Sequence, residues 1–149
     1  MTVSFRLKSQ LAELTRLTEG IARFGAEHHL SDGILFRLNL ALEEVVSNII
    51  RHGYGEREDG EVSVLIEVAP EAIAVTVEDD GVAFNPLEHP DPDLTVPLEE
   101  RKVGGLGVFL VRQLMDEADY RAEGGRNILR LMMRIAPGRP GTGAASIDE

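Results

Sequence analysis

Three short stretches of this 149-residue chain hold residue types whose spacing could do chemistry. In the first, Glu44 and Asn48 lie four residues apart, as do Asn48 and His52. On an α-helix such residues line one side and can converge on a single ligand. Polar pairs at this spacing are also what an ordinary solvated helix face carries. The setting argues for more, because Val45, Val46, Ile49 and Ile50 surround Asn48 with apolar residues. Asparagine is a poor helix former, and once buried it needs a hydrogen-bonding partner.

The second stretch is Glu78, Asp79, Asp80 and Gly81 at the end of an alternating segment. Ile73, Val75 and Val77 share one face of a strand; Asp79 continues their parity, while Glu78 and Asp80 point away. A carboxylate turned inward costs several kcal/mol unless donors meet it, so Asp79 calls for a ligand or backbone N–H groups. The plainer reading is an acidic strand end turning at Gly81. The third stretch, Gly104, Gly105, Leu106 and Gly107, precedes an apolar helical pattern. Unpaired N–H groups at a helix start carry partial positive charge, and glycine lacks the Cβ that would hold a phosphate away. Glycines there also serve as loop punctuation. No lysine with serine or threonine follows at Walker spacing, and Leu110 occupies the third glycine position of a dinucleotide fingerprint. The histidines at 28, 29, 52 and 89 show no metal-ligand spacing, and no Gly-x-Ser-x-Gly elbow occurs.

The elements that must position these groups follow from periodicity. Val3 to Lys8 alternates as a half-buried strand. A helix is expected from about Ser9 to His28, with Gly25 loosening its last turn, and a second from a cap at Ser31 or Asp32 to Gly53. Glu61 to Val68 and Ala72 to Asp79 read as a hairpin turning at Ala69, Pro70 and Glu71. Asn85 to Glu100 holds four of the seven prolines and five acids, which predicts a mobile loop. A third helix, Leu106 to Met115, and a hairpin of Asp119 to Glu123 with Asn127 to Ile135 around Gly124 and Gly125 complete the order. The tail from Ala136 is expected to be disordered. Helices on one face of a mostly antiparallel sheet, an α+β two-layer sandwich formed by residues 1–135, is the expected architecture.

Composition removes several classes of function. The formal charge of −11 repels phosphate backbones and anionic membranes, and two tyrosines, five phenylalanines and no tryptophan leave little to stack bases on. No nucleic-acid or membrane partner is expected. The absence of cysteine removes disulfides, thiolate metal sites and a cysteine nucleophile. No run approaches the ~18–20 apolar residues of a membrane span, and Arg6 and Lys8 interrupt any signal-peptide core. A soluble, cytoplasmic protein is expected.

Taken together and in this order, the three stretches resemble the nucleotide-binding boxes of the GHKL ATPase superfamily, with its Bergerat ATP-binding fold. Leu42-Glu-Glu-Val-Val-Ser-Asn-Ile-Ile-Arg-His-Gly-Tyr54 resembles the N box, Val77-Glu-Asp-Asp-Gly-Val-Ala-Phe-Asn-Pro86 the first glycine box, and Gly104-Gly-Leu-Gly-Val-Phe-Leu-Val111 the second. Phe84, Pro86 and Leu114-Met-Asp-Glu117 are similar, more narrowly, to the anti-sigma factor serine/threonine kinases. The resemblance spans about residues 3–135.

That resemblance implies ATP and Mg²⁺ as cofactors, Asn48 as the side-chain ligand of Mg²⁺, and Glu44 as the general base toward an acceptor hydroxyl. It implies that Asp79 receives the adenine amino group, that Gly81 lets the backbone approach the base, and that Gly105 and Gly107, with Gly104 and Leu106, hold the phosphates. Asn85 to Val103 would be a lid, from which Arg101 and Lys102 could neutralise phosphate charge, and Asn127 could reach the base. Ala83 stands where the family has a second glycine, which puts the tightness of the adenine turn in question. A lone domain of this kind is expected to act on another protein. The implied function is an ATP-dependent kinase that phosphorylates an anti-sigma-antagonist of the STAS type and, in its other nucleotide state, sequesters a sigma factor, with a homodimer compatible. The competing expectation is a non-catalytic, nucleotide-dependent module that switches a phosphatase or other signalling partner.

Overall fold

Alternation of apolar and polar residues along five segments makes five strands, since only in an extended chain do such residues separate onto two faces. A computed structural model describes residues 1–83, 85, 87 and 105–135. In chain order the elements are β1 (Thr2–Lys8), α1 (Glu13–Glu27), α2 (Asp32–Asn48), a π-helical segment (Ile49–Tyr54), β2 (Glu61–Val68), β3 (Ala72–Asp79), α3 (Gly105–Leu114), β4 (Glu117–Glu123) and β5 (Arg126–Arg134). The strands form one sheet in the order β1-β2-β3-β5-β4, with every neighbouring pair antiparallel. This is the expected α+β sandwich.

One face of the sheet is dry. Val62, Val64 and Ile66 of β2, Ile73, Val75 and Val77 of β3, and Leu129, Leu131 and Met133 of β5 are buried in one cluster with Leu17 and Ile21 of α1, Leu38, Leu42, Val45 and Val46 of α2, and Val111 of α3. Each such side chain contributes roughly 1.5–3 kcal/mol relative to exposure. The β4–β5 turn sets the register of that face. Gly124 and Gly125 both have positive φ, +59° and +78°, as a two-residue type I′ hairpin requires. Ala122 therefore pairs with Asn127, which sits opposite Asp79 of β3.

The helices depart from expectation in instructive ways. α1 starts at Glu13 rather than Ser9, because Ser9 is buried and committed elsewhere: its hydroxyl donates to the Arg57 carbonyl at 2.6 Å and accepts from Gly60 N at 3.0 Å. Glu13, in the first turn, reaches back to accept from Lys8 N at 2.9 Å. Gly25 does not loosen α1. A Cβ there would lie 2.5 Å from Leu35 Cδ2, so the glycine lets α1 and α2 approach closely. Ser31 caps α2 by accepting from Ile34 N at 3.2 Å.

Nor does Gly53 end the second helix. The chain passes into the π-helical segment directly after Asn48, and the reversal falls at Gly55, with φ +62°. α3 begins one residue before its expected start and buries Val111, with Met115 buried directly after it, while Leu110 and Leu114 are half-buried. The expected mobile loop lies outside the described residues except for Asn85 and Leu87, and the tail from Ala136 lies wholly outside them.

Candidate nucleotide site

The site begins where the inward parity of β3 runs out of apolar residues. Asp79, 2% exposed, ends the row formed by Ile73, Val75 and Val77. Its Oδ1 accepts from Asn127 Nδ2 at 2.9 Å, from the cross-strand neighbour, and from Gly81 N at 2.9 Å. Burial pushes the carboxyl above its ordinary pKa, and these two donors pull it back in part. Among the described residues nothing donates to Oδ2. The described residues thus fix one of the two carboxylate oxygens.

Asn127, 5% exposed, holds this arrangement from β5. Tyr120 Oη donates to its Oδ1, which orients the amide so that Nδ2 faces Asp79 and the carbonyls of Gly81 and Val82, both at 3.2 Å. Orientation of the amide is therefore dictated by four partners. Beyond it, toward the β4–β5 turn, a cavity of about 220 Å³ is lined by Gly81, Ala83, Ala122, Arg126 and Asn127 among others.

The turn after β3 is also joined to the end of the long helix. Val82 N donates to the Gly53 carbonyl at 2.9 Å. A Cβ on Gly81 would lie 2.6 Å from that same carbonyl oxygen, closer than real contacts allow. Gly81 is thus required for the turn to reach the helix end, apart from any approach to a base. Ala83 lies exposed after these contacts and does not disturb the turn.

The π-helical segment explains how that carbonyl arrives. In it His52 is exposed, whereas Asn48, the residue before it begins, is 7% exposed. Glu44 and Asn48 share a flank of α2, and Arg37, seven residues before Glu44, lies on it too. Arg37 Nη2 donates to the carbonyl of Leu114, the last residue of α3, at 2.9 Å. The flank bearing Glu44 and Asn48 therefore faces the helix that opens with the second glycine box. Among the described residues the Asn48 side chain, on a residue 7% exposed, makes no hydrogen bond.

Gly105, Leu106 and Gly107 form the first turn of α3. Arg101, Lys102 and Gly104 lie outside the described residues. Asn85 Oδ1 accepts from Leu87 N at 2.8 Å, and Arg112 of α3 donates to the Leu87 carbonyl, which anchors the first residues after the turn. Among the described residues no group of three or more histidine or carboxylate side chains could hold a metal ion, and no helix is long and apolar enough to cross a membrane.

Two participants escaped the sequence reading, Tyr120 beside Asn127 and Tyr54. Tyr54, the last residue of the π-helical segment, contacts Asp80 through its hydroxyl at 2.6 Å to Oδ1 and 3.0 Å to the backbone N. The only clue was its place at the end of the first motif. Nothing local pointed to Asp80, 26 residues away.

Comparison with known proteins agrees with this geometry. The family described as histidine kinase-like ATPase domain matches residues 7–133. The chain belongs to that family. Within it, the chain is 30% identical over 117 residues to an anti-sigma F factor of Clostridium novyi (strain NT), covering 78% of this chain and 80% of that protein. It is also 30% identical over 131 residues to the serine-protein kinase RsbW of Listeria monocytogenes serovar 1/2a, covering 83% and 81%. This histidine kinase-like ATPase domain also superposes, with a TM-score of 0.65, on a solved structure of the RsbU and RsbW domains of a Mycobacterium tuberculosis protein. That match covers 94% of this chain and 33% of the other at 17% identity, and it speaks for the fold alone.

Proposed function

We propose that the chain is an ATP-dependent serine/threonine protein kinase of the cytoplasm, acting as an anti-sigma regulatory factor. In this reading it phosphorylates an anti-sigma-antagonist of the STAS type and sequesters a sigma factor in its other nucleotide state. What carries the reading is a braced carboxylate, Asp79, on a turn joined to the helix that bears Glu44 and Asn48. Relatives named anti-sigma F factor and serine-protein kinase support the choice of partner class.

Each role follows from the chemistry of the group. Asp79 Oδ2 accepts from the purine 6-amino group, which selects adenine over guanine because guanine carries an acceptor there. Asn127 braces Asp79 for that contact. Glu44 takes the proton of the acceptor hydroxyl as its oxygen bonds to the γ-phosphorus and the bond to ADP breaks. The first turn of α3, with Gly105 and Gly107, offers N–H groups to the phosphates, and Arg101 and Lys102 would add charge from the lid. Mg²⁺ fits the side-chain oxygen of Asn48, to which no described residue donates, and when bound it would neutralise phosphate charge.

The test is calorimetric titration with ATP and GTP, with and without Mg²⁺. In Asp79→Asn the amide oxygen must stay toward Asn127 and Gly81 N, so the amide nitrogen takes the ligand position and repels the adenine amino group. ATP binding should weaken about ten- to a hundredfold and the preference over GTP should narrow. Asn48→Ala should keep its circular dichroism and lose the Mg²⁺ dependence. A folded wild type that binds no ATP overturns the reading.

A further inference from the structure

Tyr54 joins two parts of the site that the sequence keeps 25 or more residues apart. Its hydroxyl accepts from Asp80 N at 3.0 Å, and that N–H belongs to the peptide group that follows Asp79 directly. The single hydroxyl proton faces the Asp80 carboxylate at 2.6 Å and the Glu61 carbonyl at 2.9 Å. The ring itself is closely packed. A Cβ on Gly60 would lie 2.2 Å from Tyr54 Cε1, and the Arg57 guanidinium sits 5.6 Å from the ring centroid. Asp80 itself is exposed, so its contact with Tyr54 is not a by-product of core packing.

We propose that Tyr54 is a positioning residue for purine selection: its hydroxyl fixes the peptide plane after Asp79, and with it the angle at which the free carboxylate oxygen meets the base. The inference rests on the reading that Asp79 receives the purine amino group. Through the π-helical segment it also ties that angle to Asn48, six residues before Tyr54 on one continuous run of helix. The hydrogen bond from Tyr54 holds the Asp80 carboxyl below its ordinary pKa.

The experiment measures dissociation constants for ATP and GTP, together with the melting temperature, in wild type, Tyr54→Phe, Asp80→Ala, Asp80→Asn and the double variant Tyr54→Phe/Asp80→Ala. Tyr54→Phe keeps the ring in place and removes the hydroxyl. The ATP-over-GTP ratio should fall about threefold to tenfold. Asp80→Ala should lower the ratio less, because the backbone N–H contact survives. Asp80→Asn retains an acceptor oxygen and should remain near wild type, and the double variant should match Tyr54→Phe.

A latch that only stabilises the fold would lower the melting temperature and leave the ratio unchanged, and that outcome overturns the proposal. Should Tyr54→Phe fail to fold, Asp80→Ala decides alone: an unaltered ratio is then the negative result. Wild type without ATP binding, or Asp79→Asn with an unaltered ratio, removes the nucleotide-site reading itself. An altered ratio in Asp79→Asn beside an unaltered one in Tyr54→Phe removes only the role of the tyrosine.

Discussion

On the sheet side of the site, Asp79, Asn127 and Gly81 are committed to one another at 2.9–3.2 Å, with the Tyr54 hydroxyl on Asp80 and the Tyr120 hydroxyl on Asn127. On the helix side, Asn48 is nearly as buried and has no partner among the described residues. The contrast separates two tasks. Reading a rigid purine rewards groups whose orientation is settled before the ligand arrives, because misplacement by even about 1 Å weakens a directional contact. Holding a metal ion and a moving hydroxyl requires groups whose lone pairs are still unclaimed.

If that division is right, the largest effect belongs to the helix side and appears in turnover alone. Glu44→Gln keeps size and hydrogen bonding but cannot take a proton. Phosphotransfer to a serine-bearing partner should fall by about 10²–10⁴-fold, while ATP binding stays within a few-fold of wild type. Quench-flow kinetics beside calorimetry measures the two together. Equal losses in both would mean that Glu44 builds the nucleotide pocket, and the contrast between the sides would then fail.

The sheet side should respond through stability as well as affinity. In Gly81→Ala the new Cβ would meet the Gly53 carbonyl oxygen at 2.6 Å and the Gly53 carbonyl carbon at 3.0 Å, both backbone atoms. Either the turn or the helix end must shift, a strain of about 1–3 kcal/mol. Chemical denaturation should show that loss, and ATP affinity should fall with it. Gly25→Ala is the control for mere crowding, since its obstacle is the movable Leu35 side chain. Similar losses in both would show that the turn yields as easily as a side chain.

Much of this was legible in the chain itself. The hairpin Glu61–Val68 with Ala72–Asp79 matches the reading from alternation, and strand parity put Asp79 inward because a period of two leaves no other face for it. The hidden parts depend on distant partners. Ser9 looks like a helix start until Gly60 and Arg57 claim its hydroxyl. Gly53 looks like a terminator because a helical apolar stripe does not distinguish an α-turn from a π-turn, and the extra residue per turn shows only where the carbonyl must meet Val82. Tyr54 passed for the end of a motif because its partner is set by the sheet.

The smallest effect is the most diagnostic of the division, since it concerns one proton. Burial raises the pKa of Asp79 above the unfolded value of 3.8, so between that value and the folded one the native state binds more protons than the unfolded chain. Stability contributed at this position is then lost as pH rises through the folded pKa, opposite to a salt-bridged carboxylate. Asp79→Asn does not titrate. The difference in unfolding free energy, wild type minus Asp79→Asn, should therefore decline with rising pH across that window, followed by denaturant melts at each pH. ATP affinity should run the other way, because the ionised oxygen is the better acceptor for the purine amino group. Opposite slopes would mean that the charge on Asp79 is held at the expense of the fold and serves the ligand. Parallel slopes would place its value in the bonds to Asn127 and Gly81, and the sheet side would then be structure rather than a reader of the base.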